Sequence, residues 1–437
     1  MNYTETIHYI ESRGLFGMKL GLETIGTLLH YLGDPQKDLR YIHIAGTNGK
    51  GSTATMTSAI LTRSGYRVGL YTSPALESFN ERIRLDGRPI SNAALIAVTE
   101  KVRLAAEAMV RDGHPEPTGF EIETAMAFRY FKEQATDFAV IEVGMGGRLD
   151  ATNIIPAPVA AVITRIGLDH TAYLGTTLTA VAGEKAAIIK PGCTAVMAPQ
   201  EPEAREAIAA AAARLSVPLI EAPRAALTAV ARDPDGQTIA CQSDTFPDLK
   251  TFRLALKGRH QIDNCATVLA IVQTLRDKGF AVPTDALTQA LSEVVFPGRF
   301  ETLSRHPLIL IDGAHNVNGI ESFVQNLDDY FPGKAVRLYL GMLADKDIGH
   351  SLELLIPKAH TIATLTPDSD RALDAQAMAQ RIQRDFGREA TACSSIEDAL
   401  AAIQDDGTLH VFVGSLYLIG RVRTAFFQMK KLPGADA

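Results

Sequence analysis

The sequence predicts an α/β protein of two domains: a mostly parallel sheet carrying a small antiparallel element, then a smaller doubly wound α/β domain. Two observations predict this. Short apolar runs rich in Val, Ile and Leu alternate with stretches of helical spacing along most of the chain, the order that builds a parallel sheet covered by helices on both faces. The alternation is broken once, by two alternating runs around a PDG turn, and resumes after a Pro-Gly breaker at residues 297 and 298. A chain of 437 residues also exceeds what one core usually supports.

Taken in order, "YIHIAG", "RVGLYTS", "FAVIEVG" and "VAAVITRIG" are apolar at successive positions, as strands buried on both faces are. Between them, "GSTATMTSAILTRSG", "SNAALIAVTEKVRLAAEAMVRDG" and "FEIETAMAFRYFKEQ" repeat apolar residues at helical intervals and end in glycine or polar residues, which predicts helices. After "CTAVMAPQ" and an alanine-rich helix, "RAALTAVARDPDGQTIACQ" and "TFRLALKG" predict the antiparallel element. "QIDNCATVLAIVQTLRDKG" returns to helix, and "FPGRFE" reads as a linker, so the first domain is set at residues 1–297 and the second at 298–437. In the second, "PLILIDGAHN", "AVRLYLGML", "HTIATLTP" and "TLHVFVGSLYLIG" are strands separated by helical stretches, a Rossmann-like order.

Composition narrows the function classes. Hydrophobic residues at 46% and charged residues at 21% are ordinary for a globular chain, and no apolar run approaches the roughly 20 residues that cross a bilayer. The opening "MNYTETIHYIESRG" lacks a basic stretch followed by an apolar segment, and Cys193, Cys241, Cys265 and Cys393 stand far apart without a C-x-x-C pair. A cytoplasmic location with buried thiols is the expectation. A net charge of -7 gives no global attraction for nucleic acid or an anionic membrane, so neither is an expected partner. An anionic substrate then needs a local cationic site.

"IHIAGTNGKGSTATM", residues 42–56, supplies one. A strand runs into a glycine-rich loop and then a helix with hydroxyl residues at its start, the P-loop-type context in which backbone N–H groups and a helix N-terminus cradle phosphate. It departs from the common formula G-x-x-x-x-G-K-[ST], because Gly51 follows Lys50 and the hydroxyl arrives one residue later, at Ser52. Lys50 would neutralise charge and Ser52 would face a metal; the alternative is a tight turn that needs glycines for packing. Later strand ends bring Ser73 in "YTSP", Glu142 in "VIEVGMGGRLDATN", and Asp169 and His170 in "ITRIGLDHT", a set that could hold a hard cation such as magnesium or serve as separate surface groups.

Lys185 in "AGEKAAIIKPG" has apolar neighbours and reads by itself as a lysine with a buried stem. Asp312, His315 and Asn316 end a very apolar strand in "LILIDGAHNVNG", either as an Asx-type turn or as active-site groups. Arg82, Arg84 and Arg88 in "FNERIRLDGRPI" form a loop that clamps an anion or is a solvated turn.

"GTNGKGS", "YTSPAL", "FNERIRLDG", "TGFE", "EVGMGGRLDATN", "GLDHT", "GEKAAIIKPG", "GRHQIDNCATVLA", "FPGRFE", "DGAHN" and "GSLYLIG" occur in the order found in folylpolyglutamate synthases. The chain resembles that family, including the bifunctional dihydrofolate synthases, within the Mur-ligase superfamily, over nearly its whole length. The resemblance implies an ATP-dependent amide ligase: ATP phosphorylates a folate carboxylate to an acyl phosphate, the amine of L-glutamate attacks, and phosphate leaves. It implies that Gly49, Lys50, Gly51 and Ser52 form the phosphate cradle and that Ser73, Glu142 and His170 bind magnesium. Lys185 matches a lysine that is carbamylated in the family, with the added carboxylate organising the metal and phosphate site. Asn264, Arg299 and Asp312 match positions that contact the nucleotide, and His315 a histidine near the reacting phosphate. Ser415 and His315 are candidates for holding glutamate, while Thr118, Phe120 and the Arg82 loop look like the side that meets the pterin. A monomer acting on reduced folate or dihydropteroate is the resulting expectation.

Two rivals are open at this point. Another amide ligase of the superfamily would act on a peptidoglycan precursor, but "TGFE", "GSLYLIG" and the lack of a UDP-binding segment ahead of the loop weigh against it. A nucleotide-binding switch would need no Glu142 and His170 pair and no "DGAHN".

Overall fold

The computed structural model describes residues 1–13 and 21–430. Its strands are β1 (Tyr41–Ala45), β2 (Val68–Tyr71), β3 (Ile83–Leu85), β4 (Arg88–Pro89), β5 (Phe138–Glu142), β6 (Ala160–Ile163), β7 (Thr194–Met197), β8 (Leu219–Glu221), β9 (Leu227–Asp233), β10 (Gly236–Cys241), β11 (Thr251–Leu254), β12 (Glu301–Arg305), β13 (Leu308–Asp312), β14 (Val336–Leu340), β15 (Thr361–Thr364), β16 (Thr391–Ala392) and β17 (Leu409–Val413). They form an eight-stranded sheet in the order β4-β3-β2-β5-β1-β6-β7-β8, a three-stranded sheet in the order β11-β10-β9 and a six-stranded sheet in the order β12-β13-β17-β14-β15-β16.

In the eight-stranded sheet, the runs expected as doubly buried strands are β1, β2, β5 and β6, each buried at every position and paired in parallel. Side chains alternate across a strand, so Tyr41 and Ala45 of β1 share one face. Tyr41 packs with helices Glu23–Tyr31, Asn92–Arg111 and Gly119–Glu133, and Ala45 with helices Leu178–Ala186 and Pro202–Arg214. Ile42 and Ile44 fill the opposite face and are fully buried. Each such side chain contributes about 1.5–3 kcal/mol on burial, which is why these strands tolerate no polar alternation.

Helix starts follow local chemistry. Ser91 caps Asn92–Arg111, Thr177 caps Leu178–Ala186, and Thr118 and Glu121 form a reciprocal capping box ahead of Gly119–Glu133. Helix Lys50–Arg63 differs: its N-cap is Gly49 at φ 88°, with no side-chain cap. Its first amides are therefore left for something other than a neighbouring side chain.

One local expectation is corrected. Residues 79–89, read from the sequence as a loop, fold as a short 3-10 turn Phe79–Arg82 followed by β3 and β4, which pair antiparallel and extend the sheet past β2. Asp86 and Gly87 both have positive φ, 50° and 77°, the geometry of a two-residue hairpin turn. The Asp-Gly pair forces the hairpin even though its strands lack apolar alternation.

In the three-stranded sheet, Pro234 and Asp235 alone join β9 to β10, a connection that only antiparallel neighbours permit. In the six-stranded sheet, β13, β17, β14, β15 and β16 are parallel and β12 runs antiparallel at one edge. Its core joins Leu310, Leu338, Leu340, Val411 and Val413 to residues of helices Val317–Tyr330, Ile348–Leu355 and Ala375–Phe386.

The chain divides into two compact units: Met1–Thr228, Ile239–Arg253 and Gln261–Val294 make one, and Ala229–Thr238, Leu254–His260 and Val295–Ala437 the other. Among the described residues no helix is long and apolar enough to cross a membrane. All four cysteines are free thiols, three of them buried.

Candidate active site

Because β1, β2, β5 and β6 are parallel, their carboxyl ends lie along one edge of the sheet. The segments that follow them hold residues 46–52, Ser73, 143–147 and 164–170, respectively. Ligands gather at this edge in open α/β sheets.

The loop after β1 is built around glycines that a side chain would block. A Cβ on Gly46 would lie 1.8 Å from Thr164 Oγ1, and one on Gly49 2.2 Å from Asn264 Oδ1. The amides of Thr47 and Asn48 both donate to the carbonyl of Arg165, at 3.0 and 3.2 Å. Thr47 Oγ1 donates to the Gly167 carbonyl at 2.9 Å and accepts the Gly167 amide at 3.0 Å. The first bond of the following helix runs from the Thr53 amide to the Gly49 carbonyl at 2.9 Å. The amides of Lys50, Gly51 and Ser52 thus precede the helical ladder, the arrangement that suits an anion.

Lys50 folds back over this loop. Its Nζ donates to the carbonyls of Gly46 and Thr47 at 3.1 and 3.3 Å and lies 4.0 Å from Glu142 Oε1. Glu142, buried at the end of β5, accepts the Ser73 amide on Oε2 at 3.3 Å. Ser73, Glu142 and Lys50 are therefore brought together. His170 is exposed, has φ 51°, and heads the short helix Thr171–Leu174. Among the described residues no three His, Cys, Asp or Glu side chains form a metal-holding group, and Ser73, Glu142 and His170 include only two of those types.

Lys185, 5% exposed on helix Leu178–Ala186, is not a snorkelling lysine. Burial first, and the Lys50 charge second, bring its ammonium down to about 7 against the opposing pull of Asp169 and Asp150. A Cβ on Gly147 would meet the Glu184 and Lys185 carbonyls at 2.7 and 2.9 Å, so this glycine lets the loop after β5 lie directly on the lysine's backbone. Gly144 is likewise covered by the Phe120 ring, 2.4 Å from where its Cβ would be.

Thr118 spends its hydroxyl on the capping box. Arg82 is already paired: its guanidinium donates to Glu123 Oε2 at 2.6 Å and sits 5.3 Å over the Phe79 ring. Burial raises the Glu123 carboxyl, with Arg82 pulling it back down.

In the second unit, the loop after β13 is internally organised. Asp312 accepts the Phe300 amide on Oδ2 and the Ala314 amide on Oδ1, both at 2.7 Å. Burial raises its carboxyl while Arg299 acts in the opposite direction. Asn316 caps helix Val317–Tyr330 through the Gly319 amide at 2.8 Å. The Asx-turn account of Asp312 and Asn316 is thus realised in the bonds. His315 Nδ1 lies 2.8 Å from the Gly313 carbonyl; a carbonyl can only accept, so Nδ1 bears the proton of that bond. The Arg299 guanidinium lies 5.5 Å over the Phe296 ring, and Ser415, buried, accepts the Tyr417 amide at 3.1 Å.

In the first unit, sequence reasoning passed over two buried residues. Asp150 accepts the amides of Met145 and Thr152 at 2.8 and 3.0 Å and braces the loop after β5. Gln261 lies three residues before Asn264 on helix Arg259–Asp277 and donates to Ser52 Oγ at 3.1 Å. The signal for Gln261 was its helical spacing from Asn264 in "HQIDN".

Two family models match the sequence: the Mur ligase middle domain over residues 44–272 and the Mur ligase, glutamate ligase domain over residues 298–416. The chain is 36% identical over 429 residues to the folylpolyglutamate synthase of Lacticaseibacillus casei, covering 97% of this chain and 98% of that protein. It is 36% identical over 375 residues to the dihydrofolate synthase/folylpolyglutamate synthase of Bacillus subtilis strain 168, covering 85% and 86%. The folylpolyglutamate synthase of Mycobacterium tuberculosis, solved with ADP and AMPPCP, superposes with a TM-score of 0.86 at 33% identity over 97% of this chain and 99% of that one. The chain belongs to the folylpolyglutamate synthase/dihydrofolate synthase family of the Mur-ligase superfamily.

Proposed function

We propose that this chain ligates L-glutamate to the terminal carboxylate of reduced folates at the expense of ATP, with dihydropteroate as a second acceptor to be tested. The observation that carries this reading is the convergence, at one sheet edge, of a glycine-headed helix with uncapped amides, Lys50 and the Ser73–Glu142 pair. The end-to-end likeness to ligases of this activity supports it.

A carboxylate resists amide formation because its leaving group would be oxide. Transfer of the γ-phosphoryl group to the folate carboxylate breaks the bond from Pγ to the bridging oxygen, releases ADP and gives an acyl phosphate; the glutamate amine attacks its carbonyl carbon, loses a proton, and inorganic phosphate departs with the C–O bond electrons. Phosphoryl transfer is catalysed mainly by positioning and charge neutralisation. The amides of residues 50–52 and the Lys50 ammonium would bind phosphate oxygens, with Gly49 and Gly51 keeping the approach open and Ser52 beside them. Asn264, Arg299 and Asp312 are assigned to the nucleotide. His315 and Ser415 are assigned to the phosphate and glutamate end, and Arg82, Thr118 and Phe120 to the pterin side. By role, residues 1–297 form the ATP-binding domain and 298–437 the glutamate-ligase domain.

The oxygens of Ser73 and Glu142 suit magnesium, a hard cation that keeps several waters and phosphate ligands, and His170 would complete the set. Bound there, the ion would neutralise phosphate charge. The lowered basicity of Lys185 leaves much of its amine neutral near pH 7, the form that adds carbon dioxide with loss of a proton. Carbamylation would turn a cation that repels Lys50 into an anion that attracts it. A monomer in the cytoplasm, without nucleic acid or membrane partners, fits the net charge of -7.

The test is phosphate release by the full chain with ATP, magnesium and glutamate, supplying dihydropteroate, tetrahydrofolate or its methylene form in turn. Release that depends on glutamate and on at least one acceptor is expected. Release independent of both would remove the ligase reading.

A further inference from the structure

Gln261 is 1% exposed, and a buried carboxamide is costly unless its hydrogen bonds are made. Two of them are made to groups at the phosphate loop. Its Nε2 donates to Ser52 Oγ at 3.1 Å, and its Oε1 accepts from Asn264 Nδ2 at 2.9 Å. Asn264 in turn occupies the space a Cβ on Gly49 would take, with Oδ1 nearest. One amide therefore ties the hydroxyl in the first turn of the loop helix to the carboxamide packed against the loop's glycine.

We propose that Gln261 is a positioning residue for nucleotide binding: it fixes the polarity of the Ser52 hydroxyl and turns the Asn264 carbonyl oxygen toward Gly49. This rests on the reading in which the loop binds nucleotide phosphates. A hydroxyl has one proton and two lone pairs. By donating to Oγ, Gln261 occupies one lone pair, which leaves the proton to donate to a phosphate oxygen and the second lone pair to meet a cation. An ionised glutamate at this position reverses the polarity, since it only accepts and draws the Ser52 proton toward itself. Once protonated, that carboxyl regains a single donor and matches the original amide at Ser52.

The experiment measures ADP affinity of the full chain by calorimetry, in EDTA and in magnesium, for wild type, Gln261→Met, Gln261→Glu, Ser52→Ala and the Gln261→Met/Ser52→Ala double variant. Denaturation midpoints are recorded for each. Gln261→Met is expected to weaken ADP binding about tenfold even in EDTA, the size of one hydrogen bond to a charged network. The double variant should lose much less than the product of the single losses. Gln261→Glu should bind weakly at pH 8 and recover toward wild type as pH falls, a response that a space-filling role would not give. Wild-type affinity in both Gln261 variants, or fully multiplicative losses in the double variant, would overturn the proposal. If Gln261→Met does not fold, the pH response of Gln261→Glu decides alone. Lys50→Ala separates the layers: lost ADP binding there with intact binding in the Gln261 variants removes only this inference, whereas intact binding in Lys50→Ala removes the loop reading beneath it.

Discussion

Replacing Lys185 with Met tests the electrostatic core of the site through stability as well as activity. Burial and the Lys50 charge bring Lys185 from 10.5 down to about 7, so its protonated form is disfavoured in the folded protein. At about 1.4 kcal/mol per tenfold change in proton affinity, that difference corresponds to about 5 kcal/mol, an order-of-magnitude ceiling because relaxation and water entry reduce it. The sign follows from proton counting. Between about 7 and 10.5 the unfolded chain binds a proton at Lys185 that the folded chain does not, so stability from this residue rises with pH across that window. It is fully present above 10.5, lost as pH falls toward 7, and absent below. Lys185→Met deletes the term. In carbon-dioxide-free buffer, urea denaturation from pH 6 to 9 should show the variant more stable than wild type near pH 6, with the gap closing as pH rises. Bicarbonate should stabilise wild type near pH 8 and leave the variant unchanged, while ATP-dependent glutamate addition is lost in the variant alone. Parallel pH profiles for the two proteins, together with no bicarbonate effect, would refute both the buried-amine argument and the carbamate built on it.

Lys50→Ala should abolish glutamate-dependent phosphate release while shifting the denaturation midpoint little, since its Nζ bonds two loop carbonyls and reaches Glu142 only at 4.0 Å; near-normal turnover would sink the site assignment. Gly49→Ala meets Asn264 Oδ1 at 2.2 Å and places a side chain at φ 88°. It should cost about 1–3 kcal/mol by denaturation, part of it recovered in a Gly49→Ala/Asn264→Ala double variant, and full additivity would deny the contact. Arg82→Met strands buried Glu123 and should destabilise by about 3–5 kcal/mol, with Glu123→Gln in that background restoring much of the loss. A Glu123→Gln rescue that fails in denaturation would show that Arg82 acts through packing instead.

The parallel core was legible because burial on both faces leaves short unbroken apolar runs, as in β2 and β6, bounded by turn residues. The phosphate loop was legible because strand, glycines, lysine and helix are contiguous. The hairpin of β3 and β4 was not read, although Asp86 and Gly87 announce it, because "RIRL" carries charges where strand patterning was sought. Partnerships across long chain separations left no local trace: Arg82 finds Glu123 on the helix Gly119–Glu133, and Gln261 reaches back to Ser52. Lys185 illustrates the same limit from the other side. Its apolar neighbours suit a snorkelling stem equally well, and only the packing of Gly147 on its backbone and the nearby Lys50 charge distinguish the buried amine.

The double anchoring of Thr47 and Asn48 on the Arg165 carbonyl has a consequence for binding kinetics. Ordering a flexible loop around a phosphate costs conformational entropy at every encounter, and that cost slows productive docking and weakens affinity. Here the strand-end segments after β1 and β6 are stitched together through four hydrogen bonds of the protein's own groups. If the loop seats a phosphate as proposed, four bonds already in place spare that ordering cost, and exchange is expected to follow how fast the ligand leaves more than how often the loop finds its shape.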